Sequence, residues 1–248
     1  MASRLLEICI DSVASALAAQ EGGANRVELC DNLVEGGTTP SYGMIKAVRD
    51  KISIGLMVMV RPRGGDFLYS EEEFEIMKSD IEMAKGLGAD GVVFGLLNPD
   101  GSIDKTRTKE LIELSRPMKV TFHRAFDMVY DGTQALEDLI DIGCDRVLTS
   151  GLHPDVIKGQ EVIKQLIEQS SSRIAILAGG GIRLDNIKSF VQNTNIIEVH
   201  GSARITVHSQ MTFQNDQIAM GGITNSEYIT KVADEATIRK FREVLDAI

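Results

Sequence analysis

KVTFHRAFD, from Lys119 to Asp127, is the stretch on which the fold turns. Apolar Val120 and Phe122 alternate with Lys119 and Thr121, as in a strand with one buried face. The run then breaks into an imidazole and a guanidinium, His123 and Arg124, and a helix pattern follows from Gly132 to Ile142. A strand that turns polar just before a loop presents those groups at its carboxyl end. In folds of parallel strands and helices, that end is where ligands bind.

The same unit recurs on both sides of this stretch. The pattern predicts strands at Leu5–Ile10, Arg26–Cys30, Ile54–Val60, Gly91–Phe94, Arg146–Thr149, Arg173–Ala178 and Ile196–Val199. Between them it predicts helices from Ser12 to Gln20, Ser41 to Lys51, Ser70 to Leu87, Thr106 to Ser115, Asp155 to Gln169 and Leu184 to Gln192. A polar insertion at about 209–227 precedes a last helix expected from Ile229 to Leu245. Strict alternation requires parallel pairing through helical crossovers. Eight units in 248 residues match one closed (β/α)8 TIM-type barrel, which typically takes about 250 residues. An open doubly wound sheet fits less well, because no dinucleotide fingerprint follows the first strand. No linker or charge block divides the chain, so residues 1–248 are read as a single domain.

Lys and Arg total 26 against 36 Asp and Glu, a net charge of −10. That field repels a phosphate backbone and an acidic bilayer surface, so neither nucleic acid nor membrane is an expected partner. A small anion in a cleft is a different case, since nearby cations outweigh the distant field. Glu7 interrupts the first apolar run, which spoils a signal-peptide core, and Ile52–Val60 is too short to span a bilayer. Three cysteines make no secreted disulfide framework, and a cytoplasmic location is expected.

Strand residues two apart share a face. Glu7, Cys9 and Asp11 then point one way, as do Arg26, Glu28 and Cys30, Met57, Met59 and Arg61, Thr121 and His123, and Glu198 and His200, with Thr149 ending its strand. Helices cover the other side, so these sets are expected inside the barrel. Charges there are costly unless they pair or serve a ligand. An ionic network such as Glu28 with Arg26 or Arg61 is the bland reading of any one residue; convergence of the whole set at one mouth favours a binding site.

Gly179, Gly180 and Gly181 follow the seventh strand, and Gly201 and Ser202 the eighth. In many barrels these two loops hold an anion through backbone N–H groups, although a tight turn also uses glycine. Arg61 and Arg63, in the loop Arg61–Asp66, would clamp an anion or be pinned by carboxylates such as Asp66. Cys9 and Cys30 end neighbouring strands, near enough to share a soft Cu(I) ion with a thioether from Met57 or Met59, or to form a disulfide on oxidation. Packing as two small hydrophobes is the simpler reading of the spacing alone. Cys144 reads as core.

Several ordered motifs run the length of the chain: Leu6-Glu7-Ile8-Cys9, Arg26-Val27-Glu28-Leu29-Cys30, Glu35-Gly36-Gly37-Thr38-Thr39-Pro40-Ser41, Arg61-Pro62-Arg63-Gly64-Gly65-Asp66-Phe67, Thr121 to Asp127, Leu148-Thr149-Ser150-Gly151 and Glu198-Val199-His200. With them the chain resembles the copper homeostasis protein CutC family. The resemblance implies a cytoplasmic TIM-type barrel that assembles as a homodimer or homotetramer and handles copper, with Cu(I) at Cys9 and Cys30. The alternative is an enzyme of isomerase, aldolase or lyase type acting on a small anionic or phosphorylated metabolite. Its base would be Glu28 or Glu7, its acid or electrophile His123, and its anion-orienting groups Arg61 and Arg124. Glu198 and His200 would join Glu7 and Glu28 if a divalent ion assisted. No lysine stands at a clear strand end, which disfavours Schiff-base chemistry.

Overall fold

A computed structural model describes residues 4–215, 217, 218, 220 and 227–248. Eight parallel strands close into a barrel in chain order: β1 (Leu5–Ile10), β2 (Arg26–Leu29), β3 (Gly55–Met59), β4 (Gly91–Phe94), β5 (Lys119–Phe122), β6 (Arg146–Thr149), β7 (Ala175–Gly179) and β8 (Glu198–Gly201). Closure leaves no barrel edge strand, and β1 pairs with β8 through Leu5–Glu198 and Glu7–His200.

Helices α1 (Val13–Glu21), α2 (Tyr42–Arg49), α3 (Glu71–Gly86), α4 (Lys105–Ser115), α5 (Gly132–Asp141), α6 (Gln160–Ser170) and α7 (Ile187–Thr194) make the crossovers, and α8 (Glu235–Asp246) ends the ring. Several starts are written into the sequence as side-chain caps. Ser12, Ser41, Asp104, Asp131 and Asp234 each accept from a first-turn N–H, and Ser70 forms a capping box with Glu73.

The pleat sorts the barrel's side chains by face. Leu6, Ile8 and Ile10 of β1, Val27 and Leu29 of β2, and Leu56 and Val58 of β3 join the large core against the helices. Cys9, Cys30, Met57, Met59 and Val93 form a separate cluster inside the ring. Gly91 on β4 makes space for it, because a Cβ there would fall 2.2 Å from the Met57 methyl carbon.

Three expectations are corrected. Ile229–Ala233 is not helical: it is a strand, β10, paired antiparallel with β9 (Arg204–His208), a segment not anticipated as a strand. Along this ribbon β-branched Thr230 faces Val207 and Val232 faces Ile205, and the helix starts only at the Asp234 cap. Part of the insertion expected at 209–227, namely residues 216, 219 and 221–226, lies outside the described residues. The sixth helix begins at Gln160, not Asp155, because the Asp155 carboxylate accepts from the N–H groups of Ile157 and Lys158 and holds a turn there. β7 and β8 run further toward the mouth than expected, ending at Gly179 and Gly201.

Candidate functional site

Inside the barrel the polar residues stand in tiers. In the lowest, Arg26 donates from Nε to the Glu7 carboxylate and from an NH2 group to Glu198 Oε2 at 2.7 Å. Arg146 reaches the same Glu198 oxygen from Nε at 2.5 Å and donates to Thr121 Oγ1 at 3.2 Å. The Glu7 side chain is 1% exposed, yet the charges of Arg26, His200 and Arg146 overcome its burial and hold its carboxyl well below the usual carboxylate range. Glu7 and Glu198 therefore belong to a buried ionic lattice beneath the cavity and do not line it.

The middle tier joins His200, Glu28 and the two thiols. His200 donates from Nδ1 to Glu7 Oε1 at 2.7 Å, and its Nε2 lies 3.7 Å from Glu28 Oε2. Although burial opposes charge on the ring, Glu28, Cys9 and Glu7 raise its pKa well above the ordinary imidazole value. Burial and nearby negative groups push Glu28 up to about 8, despite the attraction of His200. The Cys30 thiol donates to Glu28 Oε2 at 3.6 Å. The neighbouring Cys30 and the charge on His200 draw the Cys9 thiol down despite burial, whereas Cys30 is pushed up. The pair thus divides into one thiolate-prone sulfur and one that keeps its proton. Cys9 Sγ, Cys30 Sγ and a Glu28 carboxylate oxygen all lie within 4.8 Å of one another, as do ligand atoms of Glu7, Glu28 and His200.

Above this tier opens a cavity of about 580 Å3 at the carboxyl ends of the strands. Glu28, Cys9 and His200 are in its wall, with Met59, Arg61, His123, Arg124, Gly180, Gly181, Gly201 and Ser202. The structure therefore brings Glu28, Arg61, His123 and Arg124 to one hollow, together with Gly180, Gly181, Gly201 and Ser202. Gly179 and Arg63 do not line it. Arg63 is turned aside, paired with Glu73 and Asp66. Leu148 of β6, not Thr149, faces the cavity.

Arg61 ties two loops together: its guanidinium donates to Glu35 O and Gly37 O at 2.8 Å and to Gly65 O at 2.9 Å. Arg124 is anchored through Nε to Asp127 Oδ2 and through an NH2 group to Ser150 Oγ, both at 2.7 Å. Asp127 also accepts from Thr149 Oγ1 and from the N–H groups of Ser150 and Leu152, which fixes the loop after β6.

His123 accepts from the Ala125 N–H through Nδ1 at 3.2 Å, leaving the neutral ring's proton on Nε2. Its ring lies 4.9 Å from that of Phe67, and burial with the charge of Arg61 holds its pKa at about 3. His123 is then a hydrogen-bond donor across the physiological range, not a base. The unfolded chain takes up this proton below about pH 6.5 and the folded one only near 3, so stability falls as pH drops through that window. His123→Asn keeps an acceptor for the Ala125 N–H and removes the titration. The wild-type stability advantage over this variant should shrink by roughly 2–3 kcal/mol between pH 7 and 4.5 in urea unfolding. A constant difference would mean that the folded ring carries a charge.

Several members of this assembly were missed or left without a role in the sequence reading. Arg146 is signalled by alternation with Leu148, and Asp127 by its place three residues after Arg124. Glu35 and Phe67 approach only through loop folding, which no local spacing reveals. His200 was expected only as a partner of a divalent ion; its bond to Glu7 and its place beside Glu28 depend on barrel register.

The pattern of the CutC family matches residues 4–205. A copper homeostasis protein cutC homolog of Mus musculus is 49% identical over 241 residues, covering 97% of this chain and 89% of that one. A family protein CutC of Chromobacterium violaceum is 47% identical over 243 residues, 98% of each chain. The CutC crystal structure from Streptococcus agalactiae superposes with a TM-score of 0.76 at 35% identity, covering 80% of this chain and 98% of that chain. Thiamine phosphate pyrophosphorylase from Pyrococcus furiosus, at TM-score 0.61 and 18% identity, shares the barrel fold.

Proposed function

Because the chain belongs to the CutC family, we propose that it serves copper homeostasis in the cytoplasm by taking up Cu(I) on Cys9 and Cys30. The observation that carries this reading is the approach of both sulfurs and a Glu28 oxygen to within 4.8 Å of one another. Met57 and Met59 pack in the same cluster, so the surroundings are soft donors of the kind Cu(I) prefers. Cys9 lines the cavity and gives the ion its way in, while Cys30 lies deeper at 1% exposure. Cys9 needs little help to become a thiolate; Cys30 must surrender its proton, so binding releases protons and tightens as pH rises. The cytoplasmic assignment draws on three free thiols and on the lack, among the described residues, of a helix long and apolar enough to cross a membrane.

The test is Cu(I) titration against a competing chelator. One ion per chain is expected, with each single Cys→Ser variant weakened and Cys9→Ser plus Cys30→Ser without high-affinity binding. Unchanged stoichiometry and affinity in the double variant would discard the proposal.

A further inference from the structure

Copper on the dithiol leaves most of the cavity unexplained. Its volume of about 580 Å3 falls within the range of ~300–1,000 Å3 usual for small-molecule sites, whereas a bare ion needs a far smaller space. Eight buried side-chain polar atoms among the described residues lack a hydrogen-bond partner, and three of them belong to residues of this one wall: Glu28 Oε1, Arg61 Nε and His123 Nε2. Those residues are 3%, 5% and 4% exposed. A buried polar group left unmatched is destabilising, so three around one hollow are a cost that a ligand's own oxygens would offset. Two of the three are donors, Arg61 Nε–H and the His123 Nε2–H fixed by the Ala125 contact.

The mouth carries the opposite specialisation. Arg124 is held by Asp127 and Ser150 with its side chain 44% exposed. Gly180 and Gly181 take φ of 101° and 87°, values that favour glycine, and a Cβ on Gly180 would meet Arg124 Cζ at 3.4 Å. Backbone and guanidinium therefore stand side by side, with Ser202 in the same wall. A cation fixed by two partners beside glycine backbone suits an oxyanion.

We propose that this cavity binds a small hydroxylated phosphate monoester, with the phosphate at Arg124 and the Gly180–Gly181 turn and the hydroxyl-bearing end between Arg61, His123 and Glu28. The site works without metal. Such a ligand is also what the isomerase, aldolase or lyase alternative requires.

Metal-free protein titrated calorimetrically with glycerol 3-phosphate, inorganic phosphate and glycerol tests the proposal. Glycerol 3-phosphate should saturate one site per chain and bind at least roughly tenfold more tightly than inorganic phosphate, with glycerol not binding measurably. Arg124→Ala should weaken both phosphate compounds by roughly tenfold or more, and so should Ser202→Asp, an exposed change that adds a repelling charge. His123→Asn should weaken glycerol 3-phosphate but not inorganic phosphate. Because the titration is run without metal, saturation by glycerol 3-phosphate stands whether or not Cys9 and Cys30 take up Cu(I), and a failed Cu(I) titration leaves it untouched. No saturable binding of either phosphate compound at about 10 mM overturns the proposal, as does affinity indifferent to both mouth variants.

Discussion

Arg26→Met is expected to lower the unfolding free energy by about 3–5 kcal/mol at neutral pH, the usual cost of removing one partner from a buried ion pair. Arg26 is 6% exposed and contacts two carboxylates, Glu7 and Glu198. Methionine preserves much of the volume, so the loss is electrostatic. Glu198 retains Arg146 and Glu7 retains His200, but each loses its bond to Arg26. The deficit has a pH signature. Arg26 and its neighbours depress the folded pKa of Glu7, so its stabilisation is present above the ordinary glutamate value near 4.5 and lost as pH falls toward the folded one. The gap between wild type and Arg26→Met should therefore narrow when urea unfolding is repeated at pH 4. Adding Glu7→Gln to Arg26→Met should recover part of the loss, because it removes the stranded charge. A gap of under about 1 kcal/mol at neutral pH would mean that water reaches Glu7 and shields it.

That lattice also marks the limit of what local sequence could disclose. Alternation along β1 and β2 was enough to put Glu7, Cys9, Arg26, Glu28 and Cys30 on the inner face, since a strand's side chains have a period of two. The eightfold alternation of strand and helix sufficed for the closed ring. Tier height was not legible. Whether Glu198 lines the cavity or lies beneath it depends on barrel register, which pairs Leu5 with Glu198 and Glu7 with His200 across 193 residues of sequence. Arg61 and Arg63 show the same limit: two residues apart in one loop, one enters the cavity wall and the other pairs with Glu73 on α3. The β9–β10 ribbon escaped notice because each strand is short and its partner lies beyond a polar insertion, so neither segment declares a β-hairpin turn.

Gly159→Ala should cost about 3 kcal/mol or more, at or beyond the top of the usual range for overpacking. A Cβ on Gly159 would fall 1.9 Å from Ser150 O and 2.9 Å from Gly151 Cα, and these are backbone atoms that no rotamer change can move away. Relief requires shifting either the start of α6 or the loop after β6. That loop is bound: Ser150 N and Oγ both donate to Asp127, and Ser150 Oγ accepts from Arg124. Strain at Gly159 is thereby transmitted to the cavity mouth, and the variant should also weaken any anion held at Arg124. Gly86→Ala is the matched control. It sits at the end of α3, a Cβ there meets nothing within 4 Å, and alanine restricts the unfolded chain, so a gain of up to about 0.5–1 kcal/mol is expected. Urea midpoints at constant m-value measure both variants. Equal effects would show that backbone entropy, not the contact with Ser150, decides what a methyl does at Gly159.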